Sequence, residues 1–191
     1  MPQDNCGYWL ADIKHQGVAA FNSNPSEYQV FRNVKDFGAK GDGVTDDTAA
    51  INAAISSGNR CAPGSCASTT TTPATVYFPS GVYMINSSIV DYYYTNLIGN
   101  PSCPPTIKAF PLWQGGLGLI EANPYQPGGS LGYGATNVFW RHIRNFVIDM
   151  TLIPQTSAVN GIHWPTAQAT SIQNVVFEVF EHDKRRRTEV R

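Results

Sequence analysis

Residues 37–55 read FGAKGDGVTDDTAAINAAI and constrain the fold more than any other stretch. Three glycines and three aspartates crowd into residues 38–48, and an alanine-rich run follows. Three ligand-binding templates fail here. A dinucleotide loop needs G-x-G-x-x-G, whereas Gly38, Gly41 and Gly43 give the reverse spacing. A phosphate-binding P-loop ends in Gly-Lys-Ser/Thr, and no such ending is present. A calcium loop counted from Asp42 needs glycine sixth and glutamate twelfth, but Asp47 and Ala53 stand there. A capped helix start fits instead. Thr45 or Asp46 can accept a backbone N–H of the first turn. Asp46 and Asp47 add negative charge at the positive end of the helix dipole. Ala50, Ile51, Ala54 and Ile55 make one apolar stripe, and Gly58 is placed to stop the helix. Residues 34–37 (VKDF) read as the strand before it, with the glycines permitting a tight approach.

Beyond residue 55 the pattern changes to short β-rich runs. They are 75–78 (TVYF), 82–85 (VYMI), 88–91 (SIVD), 96–99 (NLIG), 106–109 (TIKA), 117–121 (LGLIE), 145–149 (NFVID), 161–164 (GIHW) and 174–178 (NVVFE). Gly, Pro, Asn and Ser separate them. Such runs suit a β-sandwich or a parallel β-helix with several short strands per coil. Asn96, Asn145 and Asn174 each precede apolar residues, which suggests stacked coils of irregular length. Asp149 and Glu178 each follow the repeated Asn by four residues, so the same register would stack them about 4.8 Å apart. That is too close for an inverting carboxylate pair, and strand-end residues on the outer face explain them as well.

Charge is sparse and uneven. The chain carries 13 basic and 14 acidic residues for a net charge of −1, and residues 181–191 (EHDKRRRTEVR) alone hold eight of them. Nothing global points to nucleic acid or to a membrane surface. No window of about 18 apolar residues is present to span a bilayer, and the N-terminus does not read as a signal peptide. Cys6, Cys61, Cys66 and Cys103 lie in loop-like settings and suggest disulfides, with three pairings possible. Cys61 and Cys66 are near enough for a small loop. The spacing is not that of a zinc site, and no metal or other cofactor is expected.

Residues 36–55 resemble the opening motif of the pectate-lyase-like β-helix superfamily. Residues 8–21 (YWLADIKHQGVAAF), 28–35 (YQVFRNVK), 58–66 (GNRCAPGSC), 75–83 (TVYFPSGVY), 90–95 (VDYYYT), 144–149 (RNFVID) and 160–164 (NGIHW) narrow this to fungal glycoside hydrolase family 55, the β-1,3-glucanases. The resemblance covers about residues 8–180. It implies an all-β fold, a right-handed single-stranded parallel β-helix with an N-terminal capping helix, incomplete at its C-terminal end. Residues 1–27 would form an N-terminal extension, 28–180 the N-terminal part of the β-helix domain, and 181–191 a charged tail, solvated or loosely helical. Beyond residue 180 an open apolar edge is expected.

The resemblance further implies a secreted enzyme hydrolysing β-1,3-glucan with inversion, with its cleft between two β-helices. The general-acid glutamate would come from the second β-helix, so this chain alone is expected to be inactive. Gln168, in 161–170 (GIHWPTAQAT), is the matching candidate for positioning the attacking water. His163 and Trp164 are candidates for sugar contact, the first by hydrogen bonding and the second by stacking. Pro165 departs from the family pattern beside them. Two other functions remain open: a non-catalytic β-glucan-binding module or pseudoenzyme, and a pectin-active enzyme on the same fold. The Lys184–Arg187 cluster is read as part of a truncated product's tail rather than a nucleic-acid patch.

Overall fold

The β-rich runs fold into successive coils whose strands stack in parallel on three faces. The computed structural model describes residues 6–180 and the backbone of residues 186–190. One turn of helix, α1 (Trp9–Asp12), lies in the N-terminal extension. Face one stacks β1 (Phe31–Asn33), β3 (Ala74–Phe78), β6 (Thr95–Gly99) and the first halves of β9 (His142–Asp149) and β11 (Ser171–Val179). Face two stacks β2 (Asp42–Asp46), β4 (Val82–Ile85), β7 (Thr106–Ala109) and the second halves of β9 and β11. Face three stacks β5 (Ile89–Val90), β8 (Gly118–Glu121) and β10 (Asn160–His163). This is a parallel β-helix. Its interior is built from in-register columns of buried apolar residues: Val76, Leu97 and Ile143; Tyr83, Ile107 and Ile148; Ile89 and Ile120. Each column removes apolar surface from water coil by coil, which is the main stabilising term.

Helix α2 (Thr48–Ser56) covers the first coil, burying Thr48, Ile51, Ala54 and Ile55, with Ala50 half-buried beside them. The aspartates before it work on backbone N–H groups. Asp46 accepts from the Thr48 N–H at 3.0 Å, as a cap should. Asp47 is the N-cap residue, but its carboxylate turns back to the N–H groups of Lys40 (2.6 Å) and Gly41 (2.9 Å). Asp42 accepts from Val44 and Thr45, and these hydrogen bonds hold its carboxyl down at about 2. Two buried arginines close the other end of the helix. Arg32 donates to the carbonyls of Ala54 and Ile55, and Arg60 donates to that of Ile55. Both charges favour the negative end of the helix dipole.

Gly41 explains part of the motif. Its φ is +61°, and a Cβ there would lie 2.9 Å from the Tyr83 ring. Gly41→Ala is therefore expected to cost about 1–3 kcal/mol from the backbone conformation alone, with the ring clash added. Urea unfolding checks this, and a loss below that range would count against the argument.

Three expectations are corrected. Residues 34–37 form a 3-10 turn, not a strand, because Asn33 caps the Lys35 N–H and Gly38 turns left-handed at φ +103°. The stacked asparagines are Asn145 and Asn174 only. Both sit at the corner between faces one and two with left-handed φ values of 64° and 51°. The Asn174 amide donates to Asn145 Oδ1 at 2.9 Å, and the Asn145 amide donates to the Gly99 carbonyl at 3.1 Å. Asn96 pairs with His142 instead, because its run ends at that corner while the other two runs begin there. A Cβ on Gly99 would fall on the Asn145 carbonyl oxygen, so the ladder ends on a glycine for lack of room. The tail differs too. Strand β12 (Arg186–Val190) pairs antiparallel with Val175–Val179 and covers the face-two edge of the last coil. Residues 181–185 lie outside the described residues, so the Lys184–Arg187 cluster is not described as a unit.

Asp149 and Glu178 do fall in register on adjacent strands. Asp149 bonds to Lys108 Nζ at 2.8 Å and to Thr151. Burial works to raise its pKa, but these bonds outweigh it and hold the carboxyl below the usual range. Two disulfides form, Cys6–Cys103 and Cys61–Cys66.

Candidate functional site

The corner where the chain passes from face three to face one carries one of the candidates, Gln168, among partly exposed aromatic residues. Tyr94, Trp140 and Ala169 each precede by two residues the aligned Asn96, His142 and Ser171. All three take left-handed backbone angles, φ 57°, 56° and 48°. For bulky side chains this conformation is rare and costs on the order of 1–3 kcal/mol each. At Trp140 it accompanies a ring left 37% exposed. Tyr94 lies beside that ring at 5.1 Å between centroids, and Phe139 at 5.6 Å. Beneath them Tyr93, Tyr133, Val138 and Cys61 form a second small core.

Gln168 belongs to the same corner. It bridges Phe139, its N–H donates to the Val138 carbonyl at 3.0 Å, and its side-chain amide donates to the Thr136 carbonyl. Gln168 is exposed, and its backbone pairs with Phe139, the chain neighbour of Trp140.

Trp164 and His163 are placed differently. The half-buried Trp164 ring packs on the main core and lies 4.6 Å from the Arg141 guanidinium, a cation–π contact. It supports the corner from inside. His163 Nδ1 lies 2.5 Å from the buried Glu121 carboxylate, and the exposed Tyr125 ring is 5.8 Å away. Among the described residues, no hydrogen bond or ring contact joins His163, Trp164 and Gln168 to one another.

Arg141 was not singled out from the sequence, yet it organises the site. It is fully buried and donates to the carbonyls of Asp91 (3.4 Å), Ala122 and Thr166 (2.9 Å). These carbonyls come from three different segments, so one side chain ties the corner loops together. Its Nε stands 4.0 Å from the Asp91 carboxylate, and neither that Nε nor either Asp91 oxygen has a hydrogen-bond partner. Burial pushes the Asp91 carboxyl up to about 7, with Arg141 and Arg60 pulling the other way. No sequence signal marks Arg141 or Trp140, since each depends on which coils come together.

Comparison with known proteins matches the chain to a family. The model for "Rhamnogalacturonase A/epimerase, pectate lyase-like" matches residues 31–190. A "Probable glucan endo-1,3-beta-glucosidase" of Arthroderma benhamiae is 54% identical over 172 residues, covering 90% of this chain and 19% of that protein. A "Glucan 1,3-beta-glucosidase" of Cochliobolus carbonum is 56% identical over 170 residues, covering 88% of this chain and 21% of that protein. The chain thus spans about a fifth of the length of these relatives. The surface adhesin PfbA of Streptococcus pneumoniae superposes with a TM-score of 0.51 at 22% identity, over 78% of this chain and 33% of its own, and speaks to the fold alone. No helix among the described residues is long and apolar enough to cross a membrane. Three parallel faces, a helical cap and a family match over most of its length place this chain in the rhamnogalacturonase A/epimerase family of pectate lyase-like proteins.

Proposed function

We propose that this chain forms one wall of the cleft of an extracellular β-1,3-glucan hydrolase. The observation that carries the reading is the exposed Trp140, whose chain neighbour Phe139 pairs through its backbone with the exposed Gln168, in a chain more than half identical to two named β-1,3-glucosidases. An aromatic face suits the apolar face of a glucose ring, and a few fixed polar groups orient the sugar. The stacking role suggested for Trp164 passes to Trp140, because Arg141 occupies a face of Trp164. His163, braced by Glu121, contacts hydroxyls further along the wall.

Gln168 holds the attacking water of an inverting hydrolysis. A neutral amide orients water without taking its proton, so a separate base and a general acid are required. Asp149 and Glu178 do not supply them, since adjacent parallel strands are closer than an inverting pair needs and Asp149 is bound to Lys108. The acid comes from a second β-helix outside these 191 residues, which also completes the cleft. Two disulfides fit an oxidising, extracellular setting.

Calorimetry with laminarihexaose tests the wall. The chain is expected to bind, and Trp140→Ala to weaken binding about tenfold, or ~1.4 kcal/mol. No heat at millimolar sugar would sink the reading. Reducing-sugar release from laminarin should stay near background, and robust turnover by this chain would overturn the assignment of the acid elsewhere. Binding without any turnover after the second β-helix is supplied would favour a glucan-binding module instead.

A further inference from the structure

Residues 86–88 read Asn-Ser-Ser, the one triplet in the chain with the Asn-x-Ser/Thr pattern of an N-glycosylation acceptor in which x is not proline. Asn86 lies in the turn between β4 and β5. Its backbone is held on both sides: its N–H donates to Thr48 Oγ1 at 3.0 Å and its carbonyl accepts from Gln114 at 2.9 Å. Its side-chain amide has no hydrogen-bond partner among the described residues, unlike that of Asn52, Asn100, Asn145 or Asn174. Asn86 also borders a groove of about 470 Å³ lined by Phe110, Pro111 and Leu112 together with Asp46 and Gln114, with Leu112 81% exposed. The groove thus pairs an acceptor amide with uncovered apolar surface.

We propose that Asn86 carries an N-linked oligosaccharide whose first N-acetylglucosamine rests against the Phe110–Leu112 segment. The donor is a lipid-pyrophosphate-linked oligosaccharide of the secretory pathway. The bond from sugar C1 to the pyrophosphate oxygen breaks and a bond from C1 to Asn86 Nδ2 forms. The amide loses one proton, and the lipid pyrophosphate leaves. In the folded chain Ser88 Oγ donates to the Gly118 carbonyl and accepts from the Gly116 N–H, so transfer precedes closure of this turn. The apolar face and acetyl methyl of the sugar then cover Leu112, burying apolar surface on both partners.

The proposal rests on the extracellular reading above, and its test separates the two. The chain is secreted from yeast behind a supplied leader, and its intact mass, peptide map and free thiols are measured. One oligosaccharide is expected on the peptide holding Asn86, and enzymatic release should convert Asn86 to Asp. Asn86→Gln should be secreted without it. Enzymatic release should also lower the melting temperature, and Leu112→Ser should abolish that difference while leaving the oligosaccharide attached. A secreted, fully disulfide-bonded chain with bare Asn86 overturns the proposal and leaves the extracellular reading standing. A melting temperature indifferent to the oligosaccharide overturns the seat on the groove.

Discussion

Arg141→Ala is expected to destabilise the fold by about 3–5 kcal/mol at pH 8, the cost of removing one partner of a buried charge pair. Three carbonyls lose their donor at once, and Asp91 is left buried beside an empty position. The penalty should shrink toward pH 5. Burial already holds the Asp91 carboxyl up at about 7, against 3.8 for the free side chain. Between those values the folded protein keeps a proton that the unfolded chain gives up. The contribution of Asp91 to stability therefore falls as pH rises from about 4 to about 7 and levels off above. Without Arg141 the carboxyl rises further, so protonation relieves the variant at low pH. Asp91→Asn removes this titrating group, and the falling contribution should be absent from the variant's profile in this window. The low value at exposed Asp42 acts only below about pH 4. Burial lowers the His142 pKa below its usual 6.5 and adds a rise in stability within the window, so the Asp91 contribution is read as the difference between wild type and Asp91→Asn. Urea unfolding of the three proteins at pH 5 and pH 8 checks this. An Arg141→Ala penalty that is small, or equal at both pH values, would contradict it.

Removing the Cys6–Cys103 disulfide by the double serine replacement is expected to cost about 4–5 kcal/mol, because the bond closes a separation of 97 residues. The same replacement at Cys61–Cys66, a separation of five, should cost only about 2 kcal/mol. The long link holds the N-terminal extension against the solenoid, where the Asn100 amide donates to the Cys6 carbonyl at 2.6 Å and the Tyr8 ring meets Tyr77 at 6.0 Å. Thermal unfolding of both variants, read against the wild type, gives the order. A larger loss at Cys61–Cys66 would mean that loop closure is not what the long bond contributes.

Much of the fold could be read before the structure, and the reasons are local. The runs at 75–78, 82–85 and 106–109 are short, β-rich and bounded by turn residues, and each became a strand. The run at 48–56 has helical spacing and acidic residues at its start, and it became the capping helix. Residues 34–37 looked like a strand because Val and Phe bracket them, but the Asn33 cap and left-handed Gly38 close a tighter turn. Asn96 resembled the ladder asparagines by its neighbours alone, and only the coil register separates it from them. The candidate site was less legible. Gln168 could be named from a motif. Trp140 could not, since its exposure comes with a left-handed backbone aligned with Tyr94 and Ala169. Nor could Arg141, whose partners Asp91, Ala122 and Thr166 are distant in sequence. Burial of a charge is decided by tertiary assembly, and periodicity carries no trace of it.

The central claim is that the Trp140–Gln168 corner receives β-1,3-glucan. Backbone amide chemical shifts, recorded while laminarihexaose is titrated into the chain, test it most directly. The account predicts saturable shifts centred on Phe139, Trp140 and Gln168, with the Asn145–Asn174 ladder on the opposite side of face one unmoved. Saturable shifts centred elsewhere, or none at millimolar sugar, would contradict it.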